Sequence, residues 1–235
     1  LSVYSSDGVE GRQTGTKGDR TAANFLRDFY ISNKIGPALN TIDYFQPYQL
    51  NLPGKMYTFN YSFPSTLRGY DRYAQGDNFV DTQNVASVIE GEIYPESYLI
   101  ITGHLDHVGI NGDEVYNGAD DNGSGTVSIL EIAQAFQEAV EDGVRPKRSV
   151  VFLHVSGEEE GLLGSEYYVN NSLYPLENTF ATLNLDMIGR TDPNRGYEDE
   201  EYVYSIGSDR ISKELKKISE RINEQTENLK LDYSF

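Results

Sequence analysis

The stretch Ser149-Val150-Val151-Phe152-Leu153-His154-Val155 is apolar almost throughout, with no alternation of apolar and polar positions. A strand of that kind needs apolar cover on both faces, which excludes a sheet with one wet side. Tyr98 to Thr102, Tyr-Leu-Ile-Ile-Thr, has the same character. Between the two, Gly123 to Val140 sets Val127, Ile129, Leu130, Ile132, Ala133, Phe136 and Val140 on a wide apolar arc, as a helix pressed onto a sheet requires. Two doubly buried strands joined through a helix describe a crossover unit of a parallel sheet.

The alternation extends both ways. Thr21 to Ile35 carries Ala22, Phe25, Leu26, Phe29 and Tyr30 at helical spacing, and Gly36-Pro37 stops it. Gln83 to Glu90 reads as a strand, Gly164 to Asn170 as a short helix, and Thr179 to Met187 and Tyr202 to Ile206 as strands. A last helix is expected from about Asp209, with Ile211, Leu215, Ile218 and Ile222 in one stripe. Thr41 to Val80, rich in Tyr and Phe and broken by Pro53-Gly54 and Pro64, reads as short strands and long turns. The expectation is an α/β fold with a largely parallel sheet covered on both faces. No repeat, linker or low-complexity segment interrupts it, so one domain over 1–235 is the economical reading.

Composition narrows the function. Acidic residues number 37 against 19 basic ones, a formal charge of −18. Such a surface repels phosphate backbones and anionic membranes, which argues against a nucleic-acid partner. No apolar run approaches the length that crosses a bilayer, so no membrane insertion is expected. The run Glu198-Asp199-Glu200-Glu201 reads as a solvated loop. There is no cysteine, so any metal must be held by oxygen and imidazole, which suits zinc, manganese or cobalt.

Metal-type side chains sit where the buried strands should end. Ile100-Ile101-Thr102-Gly103 runs into His104, Val150 to Val155 towards Glu158, and Leu183-Asn184-Leu185 into Asp186. Open α/β sheets bind ligands at the carboxyl ends of their strands, so three strands deliver these groups to one edge. His104 and Asp106, two apart, point to the same side of an extended segment; alone, the pair fits a polar turn as well as a metal site. Asp120 and Asp121, in Gly118-Ala119-Asp120-Asp121-Asn122-Gly123-Ser124-Gly125, stand just before a helix, where an N-cap and a metal-bridging carboxylate are both reasonable. Glu158-Glu159-Glu160 follow a buried strand, and adjacent glutamates can divide metal binding from proton transfer. Asp186 is a lone acid in an apolar strand, and buried acids are rare unless paired or coordinating. His154, among apolar neighbours, reads as a hydrogen-bonded core histidine, and His107 as a pocket wall or rival ligand to His104.

Taken together, GHLDHVG (103–109), NGADDNGSGT (117–126), SGEEEGLLGS (156–165) and NLDMIGR (184–190) resemble the zinc-dependent aminopeptidase family that includes bacterial leucyl-type aminopeptidases, with glutamate carboxypeptidases and glutaminyl cyclases as relatives. The likeness covers about 84–190, and 5–26 looks like the family's lead-in. The resemblance implies a mixed, mostly parallel β-sheet sandwiched between helices. It implies two zinc ions, with His104, Asp120 and Asp186 holding one and Asp120 and Glu159 the other. Glu158 would be the general base and Asp106 the partner that orients His104. A cis peptide bond is expected between Asp120 and Asp121. The family's second metal also takes a histidine from a loop well beyond Asp186, whereas no histidine follows His154 here. The expectation is therefore a catalytic domain that lacks its C-terminal portion.

The implied activity is an exopeptidase that removes N-terminal residues from peptides, in a secreted or periplasmic protein. Two rival readings are a single-zinc glutaminyl-peptide cyclotransferase and a catalytically dead, peptidase-like binding domain.

Overall fold

The computed structural model describes residues 1–51, 58–59, 79–195 and 201–234. Two compact units are present, Leu1–Gly189 and Arg190–Phe235. In the first, the main sheet contains β1 (Gly36–Pro37), β2 (Phe45–Asn51), β3 (Thr58–Phe59), β4 (Phe79–Ile89), β5 (Tyr94–His104), β8 (Arg148–Val155) and β9 (Thr179–Asn184). A small hairpin, β6 (Ile110–Asn111) and β7 (Glu114–Val115), lies between β5 and β8 in the chain. The helices are α1 (Lys17–Ser32), α2 (Gly125–Glu141) and α3 (Leu163–Asn170).

The sheet order is β3-β2-β4-β8-β5-β9, with β1 also on β4. The sheet is mixed. β8, β5 and β9 are parallel neighbours, while β4 pairs antiparallel with β8, β2 and β1, and β2 with β3. The division follows the connections: α2 carries the chain from β5 to β8 and α3 from β8 to β9, and such crossovers are what parallel pairing needs.

β8 is buried from Ser149 to Val155, and its alternate residues enter different cores. Val150 and Phe152 pack with Ala22, Leu26 and Tyr30 of α1 and Ile129, Leu130 and Ala133 of α2. Val151, Leu153 and Val155 pack on the other face with Tyr168 of α3, Leu173 and Tyr174. This is the double cover that its composition demanded. His154 is fully buried, with Nε2 2.7 Å from the Tyr30 hydroxyl, as a core histidine should be.

Several boundaries differ from the sequence reading. α1 starts at Lys17 because Thr16 caps it, accepting from the Asp19 N–H at 3.4 Å. β9 stops at Asn184, so Asp186 lies beyond the strand and is 37% exposed rather than buried within it. Gly36-Pro37 forms a strand rather than a bare helix stop. The Tyr-rich stretch expected as short strands and turns falls largely outside the described residues, as do residues 198–200 of the acidic run.

In the second unit, β10 (Tyr202–Tyr204) and β11 (Lys230–Asp232) pair in parallel. The expected single helix is two, α4 (Ser208–Ile211) and α5 (Lys213–Gln225), because Ser212 is extended and caps α5 through Leu215 N–H at 3.2 Å. No helix among the described residues is long and apolar enough to cross a membrane.

Candidate metal centre

The three adjacent parallel strands end at one edge, and each exit offers a site group: His104 closes β5, Glu158 and Glu159 follow β8, and Asp186 follows β9. His104 is buried, and its Nδ1 lies 3.1 Å from the Asp106 carbonyl and 3.6 Å from the Asp106 carboxylate. That contact turns Nε2 outward. There it meets Asp121 Oδ1 at 3.1 Å, Asp186 Oδ1 at 3.5 Å and Glu158 Oε2 at 4.0 Å.

Asp106 also organises the glutamates. It is fully buried, accepts from the Thr14 hydroxyl at 2.9 Å, and takes the backbone N–H groups of Glu158 (3.2 Å) and Glu159 (3.3 Å). One carboxylate thus orients the β5 exit and the β8 exit together, as partners behind a metal ligand commonly do.

Of the adjacent aspartates, the second faces the hollow. Asp120, expected as the bridging ligand, turns inward instead: its Oδ1 accepts from Gly189 N–H at 2.7 Å and Ser124 Oγ at 3.3 Å. Asn122, also buried, accepts from Gly125 N–H at 3.0 Å and donates to the Leu185 carbonyl at 2.9 Å. These two residues lace the start of α2 to the exit of β9, and Asp121 between them points the other way. The cis peptide bond likewise falls one place later than expected, at Asp121–Asn122. Gly118 opens this turn with φ +52°, and a Cβ there would strike the Asp121 carbonyl and, at 2.6 Å, the His107 ring.

His107 is more than a wall. Its Nδ1 is 2.7 Å from Glu159 Oε1, and the pair shares a neighbourhood with Asp121. Among the described residues, three sets of donors come within 4.8 Å of one another: His104, Asp121 and Asp186; His104, Glu158 and Glu159; His107, Asp121 and Glu159. Asp121, His107 and Asn122 are the residues that the sequence reading undervalued. The signal for Asp121 was present in the adjacent acids, but spacing alone does not choose between them.

The electrostatics suit a cation. Burial draws the His104 pKa down, yet the carboxylates of Asp106, Asp121 and Asp186 override it and push it up to about 12. Asp121 is held below the ordinary carboxylate range, chiefly by its hydrogen bond to His104. Glu158 and Glu159 are raised, first by burial and then by nearby acids, Glu159 and Asp106 acting on the former and Asp121 on the latter. The hollow gathers positive charge, and imidazole with carboxylate oxygens is a donor set that fits zinc.

Several known proteins resemble this chain. Leupeptin-inactivating enzyme 1 of Streptomyces exfoliatus is 42% identical over 105 residues, which is 44% of this chain and 22% of that protein. The zinc aminopeptidase BSAP of Bacillus subtilis superposes with a TM-score of 0.51 and 26% identity, covering 65% of this chain and 34% of its own. The LapA aminopeptidase of Legionella pneumophila, at 18% identity, shares the fold with a TM-score of 0.60, over 99% of this chain and 52% of its own. The matched stretches cover 24%, 27% and 22% of the length of three curated relatives, so the match spans only part of those proteins. The family model for peptidase family M28 matches residues 84–234, from within β4 through both units, and the chain belongs to that family.

Proposed function

We propose that this chain carries the metal-binding and proton-transfer groups of a zinc aminopeptidase that acts on peptides. The observation that carries the reading is the convergence of Asp121, Asp186 and Glu158 on His104 Nε2. His104, Asp121 and Asp186 would hold one zinc ion. Asp121 and Glu159 would hold a second, with His107 beside Glu159. Zinc, when bound, would acidify a water molecule and polarise the scissile carbonyl.

The protein's own part is proton handling and orientation. Glu158 is partly buried with a raised carboxyl pKa, which suits it to take a proton from the attacking water and pass it to the leaving amine. Its main chain is anchored on Asp106, and its carboxylate stands 4.0 Å from His104 Nε2.

The test is Glu158→Gln, assayed on aminoacyl-4-nitroanilides with zinc content measured in parallel. Turnover should fall about 100- to 10,000-fold with zinc retained. Near-normal kcat in this variant would end the assignment. Cyclisation of N-terminal glutaminyl peptides in place of anilide hydrolysis would favour the cyclotransferase, and wild-type protein without zinc would favour the dead scaffold.

A further inference from the structure

The loops that present His104 and Asp121 come from different parts of the chain, and a third segment, Tyr4 to Thr14, joins them. At its centre is Arg12, whose side chain is fully buried. Nε donates to the Leu105 carbonyl at 2.9 Å, Nη1 to the carbonyls of Tyr4 at 3.2 Å and Asn117 at 2.8 Å, and Nη2 to that of Gly118 at 2.9 Å. Leu105 is the residue between His104 and Asp106, and Asn117-Gly118 open the turn that leads to Asp121. One rigid, planar group therefore holds both loops by their main chains.

The surroundings are built around this contact. The guanidinium sits 4.8 Å from the Tyr4 ring centroid, and the Tyr4 hydroxyl donates to the same Leu105 carbonyl at 3.0 Å. The Arg12 carbonyl accepts from His107 N–H at 3.2 Å, and the Gly11 carbonyl from Gly109 N–H at 3.0 Å. Glu10, Gly11 and Arg12 have φ of 50°, 62° and 51°, a left-handed run that side chains disfavour and that a packed neighbourhood must hold. At Gly11 a Cβ would collide with the backbone of Gly109. A buried guanidinium is tolerated only when its donors are satisfied, and here three of its four carbonyl acceptors, Leu105, Asn117 and Gly118, belong to the loops that present His104 and Asp121, the fourth being Tyr4 of its own segment.

We propose that Arg12 is a positioning residue of the metal centre, fixing the separation of His104 and Asp121 by clamping their loops through main-chain carbonyls. This rests on the reading of His104, Asp121 and Asp186 as zinc ligands. Lysine keeps the charge but is a point donor on a flexible stem, and it cannot span the same carbonyls.

The experiment measures zinc affinity, by competition with a chromophoric chelator, and the visible spectrum of the cobalt-substituted protein. Wild type, Arg12→Lys, Arg12→Met and the surface control Arg27→Lys are compared, with circular dichroism to report folding. The expected result is a folded Arg12→Lys with zinc affinity about 10- to 100-fold lower and an altered cobalt spectrum, while Arg27→Lys matches wild type. A folded Arg12→Lys with unchanged affinity and spectrum would overturn the proposal. So would an unfolded Arg12→Met beside such an Arg12→Lys, because the residue would then be only a structural support. Wild-type protein that binds no zinc would overturn the metal reading itself, and this proposal with it.

Discussion

Replacing Asp106 with Asn keeps the side chain's shape and changes one oxygen into an NH2 group. If the amide replaces Oδ2, the Thr14 hydroxyl can rotate and accept, but Glu159 N–H meets a donor. If it replaces Oδ1, Glu158 N–H loses its acceptor instead, while His104 Nδ1 keeps the Asp106 carbonyl at 3.1 Å and loses only the nearby carboxylate charge. Either way one partly buried backbone N–H is left without a partner, at about 1–3 kcal/mol. The surviving bonds lose their charge assistance and about half their strength, so the total should reach about 2–4 kcal/mol. Urea unfolding of the chelator-treated protein measures this directly. Zinc affinity should fall about 10- to 100-fold as well, because both exits lose their common anchor. An Asp106→Asn protein within about 0.5 kcal/mol of wild type, with unchanged zinc affinity, would refute the idea that this carboxylate organises the site.

Asp121→Ala should reduce zinc affinity by more than about 100-fold, whereas Asp120→Ala should act mainly on stability, by about 1–2 kcal/mol; calorimetric titration and melting curves separate the two. Metal-free protein should lose stability as pH rises from 7 to 9. The folded-state pKa of His104 is raised to about 12 from 6.5, so its contribution is complete below 6.5 and drains away as the pH climbs towards 12. The slope is bounded by about 1.4 kcal/mol per pH unit, and zinc should abolish it by displacing the proton; flat unfolding curves over that window would contradict the cause given for the shift. Tyr30→Phe removes the hydroxyl at His154 Nε2 and should cost about 1–3 kcal/mol with no change in zinc affinity, as read by unfolding and titration.

Much of this centre was legible before folding. Runs such as Val150 to Val155 require cover on both faces, their crossovers require parallel pairing, and parallel strands end at one edge. His104, Glu158, Glu159 and Asp186 could therefore be grouped from chain order alone. The adjacent Asp120 and Asp121 could not be ranked, because neighbouring side chains face opposite ways. Which of them meets the hollow depends on the left-handed turn at Gly118 and on where the β9 exit passes.

Arg12 gave no sequence signal for a related reason. Its partners are carbonyls, a group that every residue carries, so no residue type marks them. The amino-acid order by itself determined which chemistry reaches the sheet edge, because side-chain type and apolar periodicity are local properties. Only the tertiary structure decided which oxygen faces His104 and what holds the loops in place, because those depend on backbone groups brought together from distant parts of the chain.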